Sequence, residues 1–160
     1  DLVPRCNGVL GVNASGFSDY KGGGNGGKVK GYTMCSGEEF GKHFDNSRKR
    51  LELRNDDKIY IVDASTETNP ETRDAVEFRP ALIIDGNSLI GAQSAFRSIQ
   101  PRGLPDCTAI MNRYDAYQAM NMDGGTSSVM WYDGEYITKC SNPVIQSRYL
   151  PNAWVYGNAA

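Results

Sequence analysis

A chain of 160 residues has room for one ordinary domain with a buried core, and not for two. Its 17 Lys and Arg against 19 Asp and Glu give a formal charge of −2 and no long basic run, so duplex nucleic acid is not an expected partner. A hydrophobic content of 39% is too high for disorder. Apolar runs such as Ala81-Leu82-Ile83-Ile84 fall far short of the ~20 residues that span a bilayer, so no membrane span is expected.

In chain order, the amino terminus lacks the succession of basic region, apolar stretch and small-residue cleavage site, so a secretion signal is either removed or never present. Leu2-Val3-Pro4-Arg5 reads like the remnant of a protease site, although Cys6 does not continue a usual linker. Val9 to Val12 predicts a strand that runs into Asn13-Ala14-Ser15-Gly16-Phe17, and Tyr20 to Gly27 is a polar glycine connector before a strand over Val29 to Met34. Arg48-Lys49-Arg50 reads as a solvated charge cluster. Strands are predicted at Lys58 to Asp63 and at Arg79 to Ile84, the latter closed by an Asp85-Gly86 turn, with a polar loop over Thr66 to Asp74 between them. Asp106 is placed to cap a helix through Cys107 and Tyr114. Two further strands then flank the polar glycine turn at Asn121 to Ser128, and Asp133-Gly134 signals a hairpin. This order predicts an α+β fold, a strand-rich mixed sheet with few helices, in one domain over residues 1–160.

Cys6, Cys35, Cys107 and Cys140 are even in number with no Cys-x-x-Cys, which disfavours zinc and leaves open both two disulfides and four thiols. His43 is the sole histidine and is expected in a surface or packing role, so a serine triad is not expected. Asp56, Asp57, Asp63 and Asp85 lack the spacing of a helix-loop-helix calcium loop. Trp131 and Trp154 suit either packing or stacking on sugar rings.

The run Asn121-Met122-Asp123-Gly124-Gly125-Thr126-Ser127-Ser128 concentrates chemistry. On a strand Asn121 and Asp123 share one face, so an amide and a carboxylate converge. Gly124 and Gly125 permit close approach or positive φ, and free N–H groups there, with the hydroxyls of Thr126, Ser127 and Ser128, can form an anion-binding nest. The alternative is a tight turn in which Asp123 only accepts hydrogen bonds from the amides that follow it.

Asn121 to Ser128 resembles the Asn-hydrophobic-Asp-Gly-Gly-Gly-Ser-Ser signature of the phosphodiester glycosidase family, with Thr126 in place of a glycine. Val12-Asn13-Ala14-Ser15-Gly16-Phe17 is similar to the early Asn-Gly-Gly-Phe segment, and Arg79 to Gly86 resembles the strand and turn that precede a Pro-Arg-Thr-Ala-x-Gly motif. Pro101-Arg102 starts that motif, and Arg148-Tyr149-Leu150-Pro151-Asn152-Ala153 matches the closing Arg-x-x-Pro-Asn-Ala strand. After Arg102 the chain departs from the pattern, passing directly to Gly103-Leu104-Pro105-Asp106, so an internal stretch is expected to be missing between residues 102 and 103.

The resemblance implies hydrolysis of a sugar-1-phosphodiester at the anomeric carbon, with free sugar and a phosphomonoester as products. It implies Asp123, Arg102 and Asn13 as catalytic residues, Asp123 being the carboxylate at the anomeric centre and Arg102 a bidentate phosphate ligand. Asn121, Gly124, Gly125, Thr126, Ser127 and Arg148 are the implied substrate-binding residues. The implied partner is a small-molecule or polysaccharide sugar phosphate, and the expected location is extracellular or the cell surface. No cofactor is expected; a divalent cation at Asp123 is the alternative. A non-catalytic carbohydrate- or phosphate-binding module and a metal-dependent phosphodiesterase are the competing readings.

Overall fold

The computed structural model describes residues 2–18, 26–90, 103–139 and 147–157. The chain opens with α1 (Leu2–Arg5), β1 (Gly8–Asn13), β2 (Gly16–Phe17) and β3 (Val29–Lys30). Next come β4 (Thr33–Cys35), β5 (Glu38–Gly41), β6 (Lys49–Arg54), β7 (Ile59–Asp63), β8 (Thr72–Phe78), β9 (Ala81–Ile84) and β10 (Asn87–Ser88). After these follow α2 (Leu104–Arg113) and β11 (Ala119–Met120), a 3-10 turn at Gly125–Ser127, and β12 (Met130–Tyr132), β13 (Glu135–Tyr136) and β14 (Ala153–Gly157). The α+β, strand-dominated class is as expected. Every described strand pair is antiparallel rather than mixed.

Two compact units divide the chain, Asp1–Gly31 with Met122–Ala160, and Tyr32–Asn121. In the first, a four-stranded sheet runs in the order β13-β12-β1-β14. The amino-terminal β1 is thus held between two strands from the other end of the sequence, with Val12 opposite Met130 and Trp154 and Asn13 opposite Ala153. That register brings the segments entering β12 and β14 to the end of β1. Asp133 and Gly134 take positive φ of 44° and 96°, the conformation of a tight two-residue hairpin turn, and join β12 to β13 as the sequence predicts. Leu2–Arg5, the segment that reads like a protease-site remnant, forms α1 and buries Val3. A Cβ on Gly11 would lie 2.2 Å from Val3 Cγ2, so only glycine lets α1 pack there.

The second unit holds a five-stranded sheet, β5-β4-β8-β6-β7, and a three-stranded sheet, β10-β9-β11. Its apolar core includes Ile61, Ala75, Val76, Leu82 and Ile83. The predicted Val29–Met34 strand divides at Gly31, whose φ is +108°, into β3 and β4. The predicted Arg79–Ile84 strand begins only at Ala81, after a cis Arg79–Pro80 bond. Helix α2 starts at the Gly103 N-cap with no side-chain cap, so Asp106 lies in the first turn, not at the cap. There its carboxylate faces the positive end of the helix dipole.

Arg48 and Arg50 of the Arg48-Lys49-Arg50 cluster are buried and not solvated as expected, while Lys49 stays partly exposed. Arg48 is 8%, Arg50 2%, Glu52 0% and Glu77 0% exposed, whereas Leu51 and Leu53 are only half-buried. Loops cover the polar face of β6, and the buried carboxylates there are hydrogen-bonded: Arg50 Nε and Nη2 donate to Glu52 Oε1 at 2.9 and 2.7 Å. Glu77 accepts the Tyr32 amide at 2.8 Å and the Phe44 amide at 3.0 Å, and His43 Nδ1 approaches it at 3.3 Å. Sheet alternation buries one face, and here loop closure makes it the charged one.

Candidate functional site

Three of the sequence motifs meet at one end of the β13-β12-β1-β14 sheet, all within the first unit. Asn13, 8% exposed at the last position of β1, turns its side chain onto the 123–129 loop. Its Nδ2 donates to the Asp123 backbone carbonyl, and its Oδ1 accepts the Val129 amide at 3.2 Å. The Asp123 amide in turn donates to the Ala14 carbonyl at 3.2 Å. Asn13 therefore spends both ends of its side-chain amide on holding the Asp123 loop to β1.

Asp123 is half-buried. Its Oδ1 accepts the Gly124 amide at 3.1 Å, and its Oδ2 takes part in no hydrogen bond among the described residues. Gly125 sits at φ +61° and opens the 3-10 turn, a left-handed conformation that favours glycine. The Ser127 and Ser128 amides are consumed by the Gly124 and Gly125 carbonyls, each at 3.1 Å. Ser127 is buried, whereas Gly124, Gly125 and Thr126 are exposed. The amides of Gly125 and Thr126 have no acceptor among the described residues.

Arg148 joins from the segment that leads into β14. Its Nη1 donates to Thr126 Oγ1 at 2.6 Å, and its guanidinium carbon lies 5.1 Å from the centre of the Phe17 ring. Asn152 adds a further tie: its Oδ1 accepts from the Ser15 amide at 3.1 Å and from Ser15 Oγ at 2.9 Å. Its Nδ2 is buried with no partner among the described residues. Ser15 and Asn152 lie inside the Val12-Asn13-Ala14-Ser15-Gly16-Phe17 and Arg148-Tyr149-Leu150-Pro151-Asn152-Ala153 motifs, yet nothing in their residue type alone points to this tie. The signal was their place beside Asn13 and Arg148.

Asn121 belongs to the second unit, where its amide donates to the Pro80 carbonyl at 3.0 Å and its Nδ2 to the Arg79 carbonyl at 3.4 Å. Residues 121–124 lie outside any strand, so the strand geometry that would put Asn121 and Asp123 on one face does not form. Arg102, and with it the 102–103 junction, lies outside the described residues, as does Cys140; Cys6, Cys35 and Cys107 are free thiols. Among the described residues no three His, Cys, Asp or Glu side chains are grouped to hold a metal ion, and no helix is long and apolar enough to cross a membrane.

No curated protein matches the chain. The family model described as phosphodiester glycosidase matches residues 103–156. This stretch contains the Asp123 turn, Arg148, Asn152 and nearly all of β14. The match is thus to the family that the motifs resemble, the phosphodiester glycosidases, and it falls on the part of the chain that builds the Asp123 loop.

Proposed function

We propose that the chain hydrolyses a sugar-1-phosphodiester at the anomeric carbon, releasing free sugar and a phosphomonoester. The observation that carries this reading is that one exposed turn offers a carboxylate oxygen at Asp123, two unspent amides at Gly125 and Thr126, and the Arg148 guanidinium bonded to the same turn. In this reading the two amides and Arg148 take the phosphate oxygens, and Arg102 supplies a second guanidinium by family resemblance. Asp123 Oδ2 faces the anomeric carbon and stabilises the positive charge that develops there as the carbon–oxygen bond breaks. The phosphomonoester leaves with the bonding electron pair as a weakly basic anion. Water supplies the new hydroxyl at the anomeric carbon, and its proton passes to solvent. Asn13 acts as a positioning residue through the Asp123 carbonyl.

The test is turnover of a sugar-1-phosphodiester by the parent chain and by Asp123→Asn, which keeps the acceptor for the Gly124 amide and removes the charge. Free sugar and phosphomonoester are the expected products, and the variant should lose about 10²-fold or more in kcat with a nearly unchanged Tm. Unchanged turnover in the variant removes Asp123 from the chemistry. Binding without turnover by the parent chain favours the non-catalytic module.

A further inference from the structure

A cleft of about 330 Å³ lies wholly within the Tyr32–Asn121 unit and shares no residue with the Asp123 loop. Glu52 and Arg54 of β6 line it, together with Thr66, Glu67 and Asn69 of the loop between β7 and β8. Both oxygens of the buried Glu52 are taken: Oε1 by Arg50, and Oε2 by Arg54 Nε at 2.9 Å, Arg54 Nη2 at 2.7 Å and Thr72 Oγ1 at 3.1 Å. Two guanidiniums therefore share the one buried carboxylate, and the exposed Glu67 carboxylate lines the same cleft. Arg54 is the accessible one of the two guanidiniums, with a side chain 20% exposed against 2% for Arg50. Its guanidinium carbon lies 3.9 Å from the centre of the Tyr60 ring, so the planar group is held in place on one face by the ring and on one edge by Glu52.

Arg54 Nη1 makes no hydrogen bond among the described residues. Asn69 spends its Oδ1 on the Glu71 amide at 2.9 Å and leaves its Nδ2 unspent. With the Thr66 hydroxyl these make a fixed guanidinium edge and two neutral donors around one space. We propose that this cleft binds a small oxyanion, a carboxylate or phosphate group, on the outer edge of Arg54. A pre-oriented guanidinium suits two oxygens of such a group at once. The exposed Glu67 carboxylate at the rim opposes the anion and tunes its affinity downward.

The test is calorimetric titration of the full chain, at low ionic strength, with inorganic phosphate and separately with acetate. Saturable binding of at least one is expected; tighter phosphate identifies a phosphoryl ligand and tighter acetate a carboxylate. Arg54→Gln should weaken it by about tenfold or more. Thr66→Val, which leaves the Glu52 network intact and guards against a folding defect, should weaken it about threefold. Glu67→Gln should strengthen it by a similar factor, an effect that a purely structural Arg54 would not produce. Absence of binding by either anion, binding indifferent to Arg54→Gln, or weaker binding in Glu67→Gln would overturn the proposal.

Discussion

Asn13 and Asp123, 110 residues apart in sequence, are joined by a hydrogen bond from the buried Asn13 amide to the Asp123 main-chain carbonyl. The same Asn13 side chain accepts the Val129 amide, so one residue of β1 grips both the start and the end of the turn. The Asp123 carboxylate is left outside this grip, and its placement depends on backbone held by Asn13.

Replacing Asn13 with Ala strands the Asp123 carbonyl and the Val129 amide without partners. We expect a stability loss of about 1–3 kcal/mol by denaturant unfolding, and at temperatures where the variant remains folded a fall in kcat of about tenfold or more, since a displaced carboxylate loses its alignment. An unaltered kcat would mean that the grip on the loop has no bearing on the reaction.

Arg148→Lys keeps the charge but loses the fork and the flat face set against Phe17. The expected outcome is a fall of about tenfold in kcat/KM for a sugar phosphodiester, chiefly through KM, with a small change in Tm. Steady-state kinetics on the parent and variant chains read this out. A loss confined to Tm would make Arg148 a packing residue.

Gly11→Ala drives a methyl group into Val3 Cγ2. Thermal unfolding should show a loss of about 1–3 kcal/mol. In a Val3→Ala background the same change should cost much less, because the clashing atom is gone. Equal costs in both backgrounds would show that α1 does not press on β1.

Much of this arrangement was legible in the chain itself. The Asp133-Gly134 and Asp85-Gly86 turns, the strands around them and the helix after residue 103 follow from local chemistry, and their positive-φ residues sit where the dipeptides predict. The meeting of Asn13, Asp123 and Arg148 was legible only through the motifs, because it depends on β1 pairing with strands more than a hundred residues away. The reading of Arg48-Lys49-Arg50 as solvated failed for a physical reason. Alternation in Arg50-Leu51-Glu52-Leu53 gives a strand with two distinct faces but not which face a loop will cover, and the Arg50–Glu52–Arg54 network makes burial of the charged one tolerable. The Asp123 turn shows a similar limit: Gly-Gly-Thr-Ser-Ser suggested a nest of amides and hydroxyls, yet the 3-10 turn consumes the last two amides and leaves only those of Gly125 and Thr126.

The most direct test of the central claim is the position of the solvent oxygen after turnover of a sugar-1-phosphodiester in isotopically labelled water, read by mass spectrometry of both products before the free sugar exchanges. Attack at the anomeric carbon predicts the label in the sugar and none in the phosphomonoester. Label in the phosphate would place the cleavage at the phosphorus–oxygen bond and contradict the assignment of Asp123 to the anomeric centre.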